Sequence, residues 1–265
     1  MIVVDSHCHV SRSWYEPVET LLFQMDRYAV SHAVLVQMQG QTNNDYQFEC
    51  VRRYPGRFAP VVVVDTEQPD APETLQRLAE QGASGVRLRA TTRSPGDDPL
   101  AIWRAAGQRG LSVSCFGSGA EFASDDFAGL VQSLPEVRIV IEHLGSHSRP
   151  DMDEAERASR QQAFALARFP NMAIKVTGLG EFCQRAMPVA EPFPFVQPIP
   201  PYLRQVYNAF GPHRMMWGSD YPPVDAREGY GNALHGPMDQ FADASEDDRA
   251  LIFGGTARIL FPPRG

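Results

Sequence analysis

The sequence predicts a (β/α)8 TIM barrel of the α/β class, with distortion allowed, and two observations carry that prediction. Eight short apolar runs recur along the 265 residues, and the gaps between them carry helical periodicity. The runs cover residues 2–9, 32–37, 58–65, 85–90, 111–116, 138–144, 172–177 and 214–219. They begin roughly 25–42 residues apart, which leaves room for a helix in each gap. Most are unbroken hydrophobic stretches, as parallel strands covered on both faces require. A doubly wound open sheet shares this alternation. The barrel is preferred because polar residues gather at the C-terminal ends of the strands, where barrels carry their active sites.

Residues 16–30 place Leu21, Leu22, Met25, Tyr28 and Ala29 on one helical stripe. Residues 71–81 and 100–109 are helical and end at Gly82 and Gly110, natural C-caps. Residues 125–134, 152–169 and 201–210 are helices stopped by Pro135, Pro170 and Gly211-Pro212. Ser245 to Asp248 has the spacing of an acidic capping box and opens a last helix through Leu260. No linker, low-complexity block or repeat divides the chain, so residues 1–265 are expected to form one barrel domain.

The chain carries 24 basic and 32 acidic residues, a net charge of −8 with no Lys/Arg block, which argues against nucleic acid and anionic membranes as partners. The longest unbroken apolar stretch, residues 58–64, is far short of the ~20 that span a bilayer. The opening Met1-Ile2-Val3-Val4-Asp5 lacks a basic n-region and an apolar h-region. The cysteines at 8, 50, 115 and 183 form no C-x-x-C pair and read as reduced thiols, so a cytoplasmic protein is expected.

The strand ends hold the chemistry. Asp5-Ser6-His7-Cys8-His9 puts residues 5, 7 and 9 on one face by simple alternation. Two inward imidazoles at a barrel mouth make a metal-ligand pair, with Asp5 one layer below; two half-exposed histidines are the plainer reading. On the sixth run His143 continues the row of Ile139 and Ile141, so Glu142 is expected on the opposite face as a structural residue. Asp220 follows a wholly apolar strand and precedes a proline stop, as a base, a ligand or a turn cap. Arg87 and Arg89 share a face of the fourth run, and Arg93 lies on its loop. An inward arginine needs an anion, either a substrate carboxylate or a neighbour such as Asp65. Lys175 on the seventh run carries the same two readings.

These segments, with Lys175-Val176-Thr177-Gly178-Leu179, Trp217-Gly218-Ser219-Asp220-Tyr221-Pro222 and Ile252-Phe253-Gly254-Gly255-Thr256-Ala257, occur in an order that resembles the amidohydrolase superfamily. The likeness is to its amidohydrolase-related branch of sugar-acid lactonases, 2-pyrone-4,6-dicarboxylate lactonase and metal-dependent decarboxylases. The resemblance implies that His7, His9, His143 and Asp220 surround the reaction centre and that Arg87 and Arg93 grip substrate carboxylates. The chain departs from the superfamily in lacking a fifth-strand histidine, where Cys115 stands, and a fourth-strand lysine or glutamate. A two-metal site is therefore not expected. One divalent ion, zinc by preference, would have His7, His9 and Asp220, with Cys115 as a soft fourth ligand. Catalysis without metal, as in the dicarboxylate lactonase, is the alternative.

The expected reaction is hydrolytic opening of a carboxylated lactone or similar ester. Asp220 would activate water, His7 and His9 would polarise the carbonyl, His143 would serve the same oxygen or the leaving group, and Arg87, Arg93 and Lys175 would hold carboxylates. The competing reading is metal-dependent non-oxidative decarboxylation of an aromatic or unsaturated acid. A catalytically dead barrel used as a binding module is the third. Long segments at 180–201, with six prolines, and at 222–237 are expected to be loops that serve as a lid or cover a second subunit in a homodimer.

Overall fold

The structure, a computed structural model, describes residues 1–146 and 153–264. Eight strands, β1 (Val3–Cys8), β2 (Val30–Val36), β3 (Phe58–Val62), β4 (Gly85–Arg89), β5 (Ser112–Phe116), β6 (Ile139–Ile141), β7 (Met172–Val176) and β8 (Met215–Trp217), form one sheet in sequential order. All neighbours run parallel. Beyond the ends of β8 and β1 the two edges meet. The Asp220 amide donates to the His7 carbonyl and the His9 amide to the Tyr221 carbonyl, each at 2.8 Å. The sheet thus nearly closes into a distorted TIM barrel, and each expected apolar run overlaps one strand, β2 beginning two residues before its run. The sixth and eighth runs shorten to three residues because the chain turns into single 3-10 turns at His143–Gly145 and Pro212–Arg214.

Alternate strand residues divide the core. Val4, Val34, Val36, Ala59, Val61, Val140, Ala173 and Met216 pack together inside the barrel, with Ala257 and Phe261. Phe261 stops the lower end: a Cβ on Gly85 would lie 2.8 Å from its ring and 2.6 Å from the Ser112 carbonyl. The opposite parity, including Leu35, Val62, Leu88, Ile141, Ile174 and Trp217, packs outward against the helices.

The helices are α1 (Val18–Arg27), α2 (Asp45–Arg53), α3 (Ala71–Glu80), α4 (Ala101–Gln108), α5 (Gly119–Phe122), α6 (Asp125–Ser133), α7 (Glu154–Ala163), α8 (Tyr202–Phe210), α9 (Val224–Arg227), α10 (Tyr230–Gln240), α11 (Glu246–Ala250) and α12 (Thr256–Leu260). On α8, Tyr202, Leu203, Val206 and Phe210 form the buried face, each contributing about 1.5–3 kcal/mol by leaving water. The Ser245 hydroxyl accepts the Asp248 amide and starts α11; a π-helical turn at Leu251–Gly255 joins it to α12. The helix expected at 152–169 is α7 plus a 3-10 turn at Phe164–Arg168; Met152 lies outside the described residues.

Two segments differ from expectation. Residues 45–53 form a helix although the stretch is polar, because Phe48, Cys50 and Val51 fall on one buried face. Residues 222–237 carry α9 and most of α10 rather than a loop; Gly229, at φ +82°, separates the two, and Pro237 sits inside α10. Segment 180–201 packs Phe195 and Ile199 on the core and leaves a cleft of about 450 Å3 against α10, lined by Phe193 and His235 among others. All four cysteines are buried and free. Among the described residues no helix is long and apolar enough to cross a membrane.

Candidate active site

The candidate reaction centre forms where β1, β6 and β8 end. Pairing of β1 with β2 slips by one residue between Asp5 and Cys8, a bulge that changes the parity of the strand. Val4 therefore faces the barrel interior below the slip and His7 faces it above. Asp5 does not lie beneath the histidines as alternation suggested. It turns to the seam instead, accepting the Ser219 amide at 2.8 Å, the His7 amide at 3.1 Å and the Tyr230 hydroxyl at 2.9 Å.

On β6 the expected parity is reversed. Val140 and Glu142 face inward, whereas Ile139 and Ile141 pack outward. His143 reaches the centre only because the chain turns there, with His143 and Leu144 both at φ +52°. Asp220 also sits in the left-handed region, at φ +61°. Such conformations cost of order 1–3 kcal/mol each for a residue with a Cβ and cluster at functional sites.

These turns bring four groups together, all nearly buried. The His7 ring lies 4.8 Å from His9 and 4.7 Å from His143, centre to centre. Asp220 Oδ1 is 3.5 Å from His9 Nε2 and 3.9 Å from His7 Nε2. Its Oδ2 accepts Arg227 Nη1 at 2.7 Å, so Oδ1 is the oxygen turned to the imidazoles. Each histidine has a rear partner. His9 Nδ1 lies 2.7 Å from the Val36 carbonyl, His143 Nδ1 2.9 Å from Glu181 Oε1, and His7 Nδ1 2.9 Å from Lys175 Nζ. The half-buried Tyr15 ring lies 5.5 Å from His9, and Trp14 stacks on Tyr15.

Below the histidines runs a buried polar layer. Arg87 grips Glu142 with two nitrogens, at 2.7 Å from Nη2 and 3.1 Å from Nε, and gives Nη1 to the Gln37 carbonyl. The Ser114 hydroxyl donates to Glu142 at 2.7 Å and accepts Lys175 Nζ at 2.7 Å. The anion that meets Arg87 is thus Glu142, not Asp65. Glu142, expected on the outer face, is the hub of this layer. Lys175, expected to reach substrate, is sealed under His7. Cys115 follows the inward Ser114, so it points outward into the apolar shell and is no ligand. Arg93 stands at the rim, donating to the Thr92 carbonyl at 2.8 Å and paired with Asp126.

Burial and charge set the protonation states. Burial would raise the Asp220 carboxyl, but His143, His9 and Arg227 hold it well below the usual carboxylate range. Burial would lower His143, yet Glu181 and Asp220 outweigh it and raise the imidazole above its ordinary value. His7 is pushed well down, by burial and then by Lys175, and is neutral. Burial draws the Lys175 ammonium down to about 8 against the pull of Glu142, so it stays charged at neutral pH. Burial opposes ionisation of Glu142 too, and Arg87 and Lys175 overcome it.

A cavity of about 840 Å3 opens beside this centre, with Arg87 on its wall. The end of β4 with Arg89, Phe116 of β5 and the chain after β2, β3 and β4, including Thr42, Asp65, Thr92 and Arg93, line it. Residues 180–201 do not contribute to that lining.

The donor set fits a divalent cation. His7, His143 and Asp220 present ligand atoms within 4.8 Å of one another, and imidazole with carboxylate suits such an ion. His9 adds a further nitrogen beside Asp220. Sequence reasoning missed Glu181, Arg227, Ser114 and Tyr15. Glu181 ends a 3-10 turn after β7 and Arg227 ends the short helix α9 after β8, where no strand periodicity marks them.

A family model described as amidohydrolase matches residues 4–262. An L-fucono-1,5-lactonase of Burkholderia ambifaria is 26% identical over 280 residues, covering 96% of this chain and 93% of that protein. A crystal structure of a probable 2-pyrone-4,6-dicarboxylic acid hydrolase from Acinetobacter baumannii, with citric acid bound, superposes with a TM-score of 0.71 at 21% identity, covering 98% and 99% of the two chains. An amidohydrolase of Burkholderia multivorans with bound zinc gives a TM-score of 0.73 at 20% identity, over 98% and 99%.

Proposed function

The chain belongs to the amidohydrolase family, and from that premise we propose that it hydrolyses a lactone, the internal ester of a small carboxylated compound, to the open hydroxy acid. The observation that carries this reading is the ionised, buried Asp220 carboxylate, whose free Oδ1 faces His9 Nε2 at 3.5 Å and His7 Nε2 at 3.9 Å. The full-length likeness to an L-fucono-1,5-lactonase supports a lactone, and the citrate held by the A. baumannii relative supports an acidic substrate.

Asp220 Oδ1 takes a proton from water as the water oxygen bonds to the lactone carbonyl carbon. Arg227 on Oδ2 keeps the other oxygen occupied and fixes the carboxylate plane. His7 stands where the carbonyl oxygen gains charge, and His9 lies beside the base, its Nε2 3.5 Å from Asp220 Oδ1. His143, charged and held by Glu181, gives its proton to the ring oxygen as the carbon–oxygen bond breaks. Asp220 with the surrounding imidazoles would hold a divalent ion, zinc being our choice, which when bound supplies an acidified water and a polarised carbonyl. Arg93 and Arg89 at the cavity rim meet a substrate carboxylate.

The test is a proton-release assay on a panel of sugar-acid and dicarboxylated lactones, run beside carbon dioxide capture from aromatic acids, with and without added zinc. Acid release from one lactone class without carbon dioxide supports the reading. Carbon dioxide release with every lactone untouched overturns it in favour of decarboxylation.

A further inference from the structure

Three imidazoles meet at the centre, and their rear nitrogens face chemically different partners. His9 Nδ1 faces the Val36 carbonyl at 2.7 Å. A carbonyl only accepts, so the hydrogen of His9 is on Nδ1 and Nε2 keeps its lone pair. His143 Nδ1 faces the Glu181 carboxylate at 2.9 Å, again an acceptor. His7 is the exception, because its Nδ1 lies 2.9 Å from the Lys175 ammonium, which has only hydrogens to give.

The direction of that contact is fixed from further down. The Ser114 hydroxyl lies 2.7 Å from Glu142 Oε1 and spends its one hydrogen there. It can therefore only accept from Lys175 Nζ, also at 2.7 Å. Glu142 in turn is locked by Arg87. Donation runs from Lys175 to both Ser114 and His7, and the Arg87–Glu142 pair sets the order.

We propose that Lys175 is a positioning residue that holds His7 in the tautomer with hydrogen on Nε2, which makes His7 a donor into the cleft and lowers the affinity of the centre for a cation. Nε2 of His7 is buried and has no hydrogen-bond partner among the described residues; Asp220 Oδ1 is 3.9 Å away. A buried donor left open at a reaction centre is completed by an incoming oxygen, here the carbonyl of the substrate. The same hydrogen stands where the lone pair must be for Nε2 to bind a metal. His7 belongs to the tightest group of candidate ligands, with His143 and Asp220. Lys175 thus acts against cation capture through a residue that geometry alone would rank as a ligand. The donor role toward a carbonyl rests on the lactone reading; the tautomer does not, so the two can fail separately.

Two measurements decide the matter without substrate. Long-range proton–nitrogen correlation spectra of the chelator-treated wild-type protein read the tautomers directly, with His7→Gln assigning the signal. The expected result is Nε2–H for His7 and Nδ1–H for His9; an Nδ1–H pattern for His7 overturns the proposal. Zinc calorimetry then compares wild type with Lys175→Met. Affinity is expected to rise at least about tenfold, the scale on which groups behind metal-ligating histidines act. Equal or weaker zinc binding by a variant with the wild-type circular dichroism spectrum also overturns it. If Lys175→Met does not fold, the wild-type spectrum alone decides between the two tautomers.

Discussion

The Asp5 carboxylate accepts the Ser219 amide at 2.8 Å, joining the first strand to the chain just past the last. The same side chain takes the His7 amide and the Tyr230 hydroxyl, so one buried acceptor satisfies three donors from three parts of the fold. Asp5→Ala leaves those donors without partners, and each buried orphan costs about 1–3 kcal/mol. The variant is expected to lose roughly 3 kcal/mol or more of stability, read as a lower urea midpoint. A midpoint equal to wild type would show that the seam does not depend on Asp5.

Asp220→Asn removes the proposed base and keeps the backbone, since asparagine tolerates the left-handed conformation that Asp220 adopts. Turnover is expected to fall about 10²–10⁴-fold, the usual worth of a general base. Binding of the product acid, followed by tryptophan fluorescence, should change far less. Undiminished turnover would show that Asp220 is not the general base.

Arg87 and Glu142 form a buried pair, so neither can be removed alone at low cost. Glu142→Gln leaves the Arg87 guanidinium and the Lys175 ammonium together without their shared anion, at about 3–5 kcal/mol. The double variant Arg87→Met/Glu142→Leu is expected to be much less destabilised than the sum of the singles, which urea unfolding of all three measures. The pH dependence has a definite sign. Glu142 ionises lower in the fold than when unfolded, so its stabilisation is present above the ordinary carboxylate range and is lost as pH falls through it. Glu142→Gln should flatten that acid limb.

Glu228 has the opposite sign. It is buried against the backbone of Gly178 and Gly180, and a Cβ on Gly180 would overlap its carboxyl. Burial pushes the group up from 4.5 to about 8, with Arg227 resisting. The folded state therefore holds this proton between those values, and stability is lost as pH rises toward 8, by about 4 kcal/mol for a shift of this size. Glu228→Gln should match wild type in melting temperature near pH 4.5 and exceed it increasingly up to pH 9. A gap that does not grow with pH would contradict the buried neutral carboxyl.

What could be read in the sequence was set by burial on two scales. Apolar runs mark strands covered on both faces, so β1 to β8 were visible. Polar residues at their ends stand out against that background, which exposed His7, His9, His143 and Asp220. Which way each side chain points was not visible. Alternation assumes an unbroken strand, and β1 has a bulge between Asp5 and Cys8, so Asp5 left the row in which it was placed. On β6 the parity ran the other way, and His143 arrives through a left-handed turn rather than along the row. The residues behind the histidines, Glu181 and Lys175, act through contacts 38 and 168 positions away in the chain. Local pattern contains no term for such distances. Helix α2 was hidden for a simpler reason: its few apolar residues are interleaved with Gln47, Glu49, Arg52 and Arg53.

The proposed reacting groups hang from β1, β6 and β8, whereas the cavity beside them is walled by the end of β4, Phe116 of β5 and the chain that follows β2, β3 and β4. Arg87 is the residue the two halves share, and its charge is already spent on Glu142. Recognition can thus drift while chemistry stands still. A library confined to residues 39–42, 65–67 and 91–93 samples new ligands without disturbing the proposed base, the proposed acid or the strained turns that hold them. Among descendants of such a chain, the substrate would be the first property to diverge and the reaction the last.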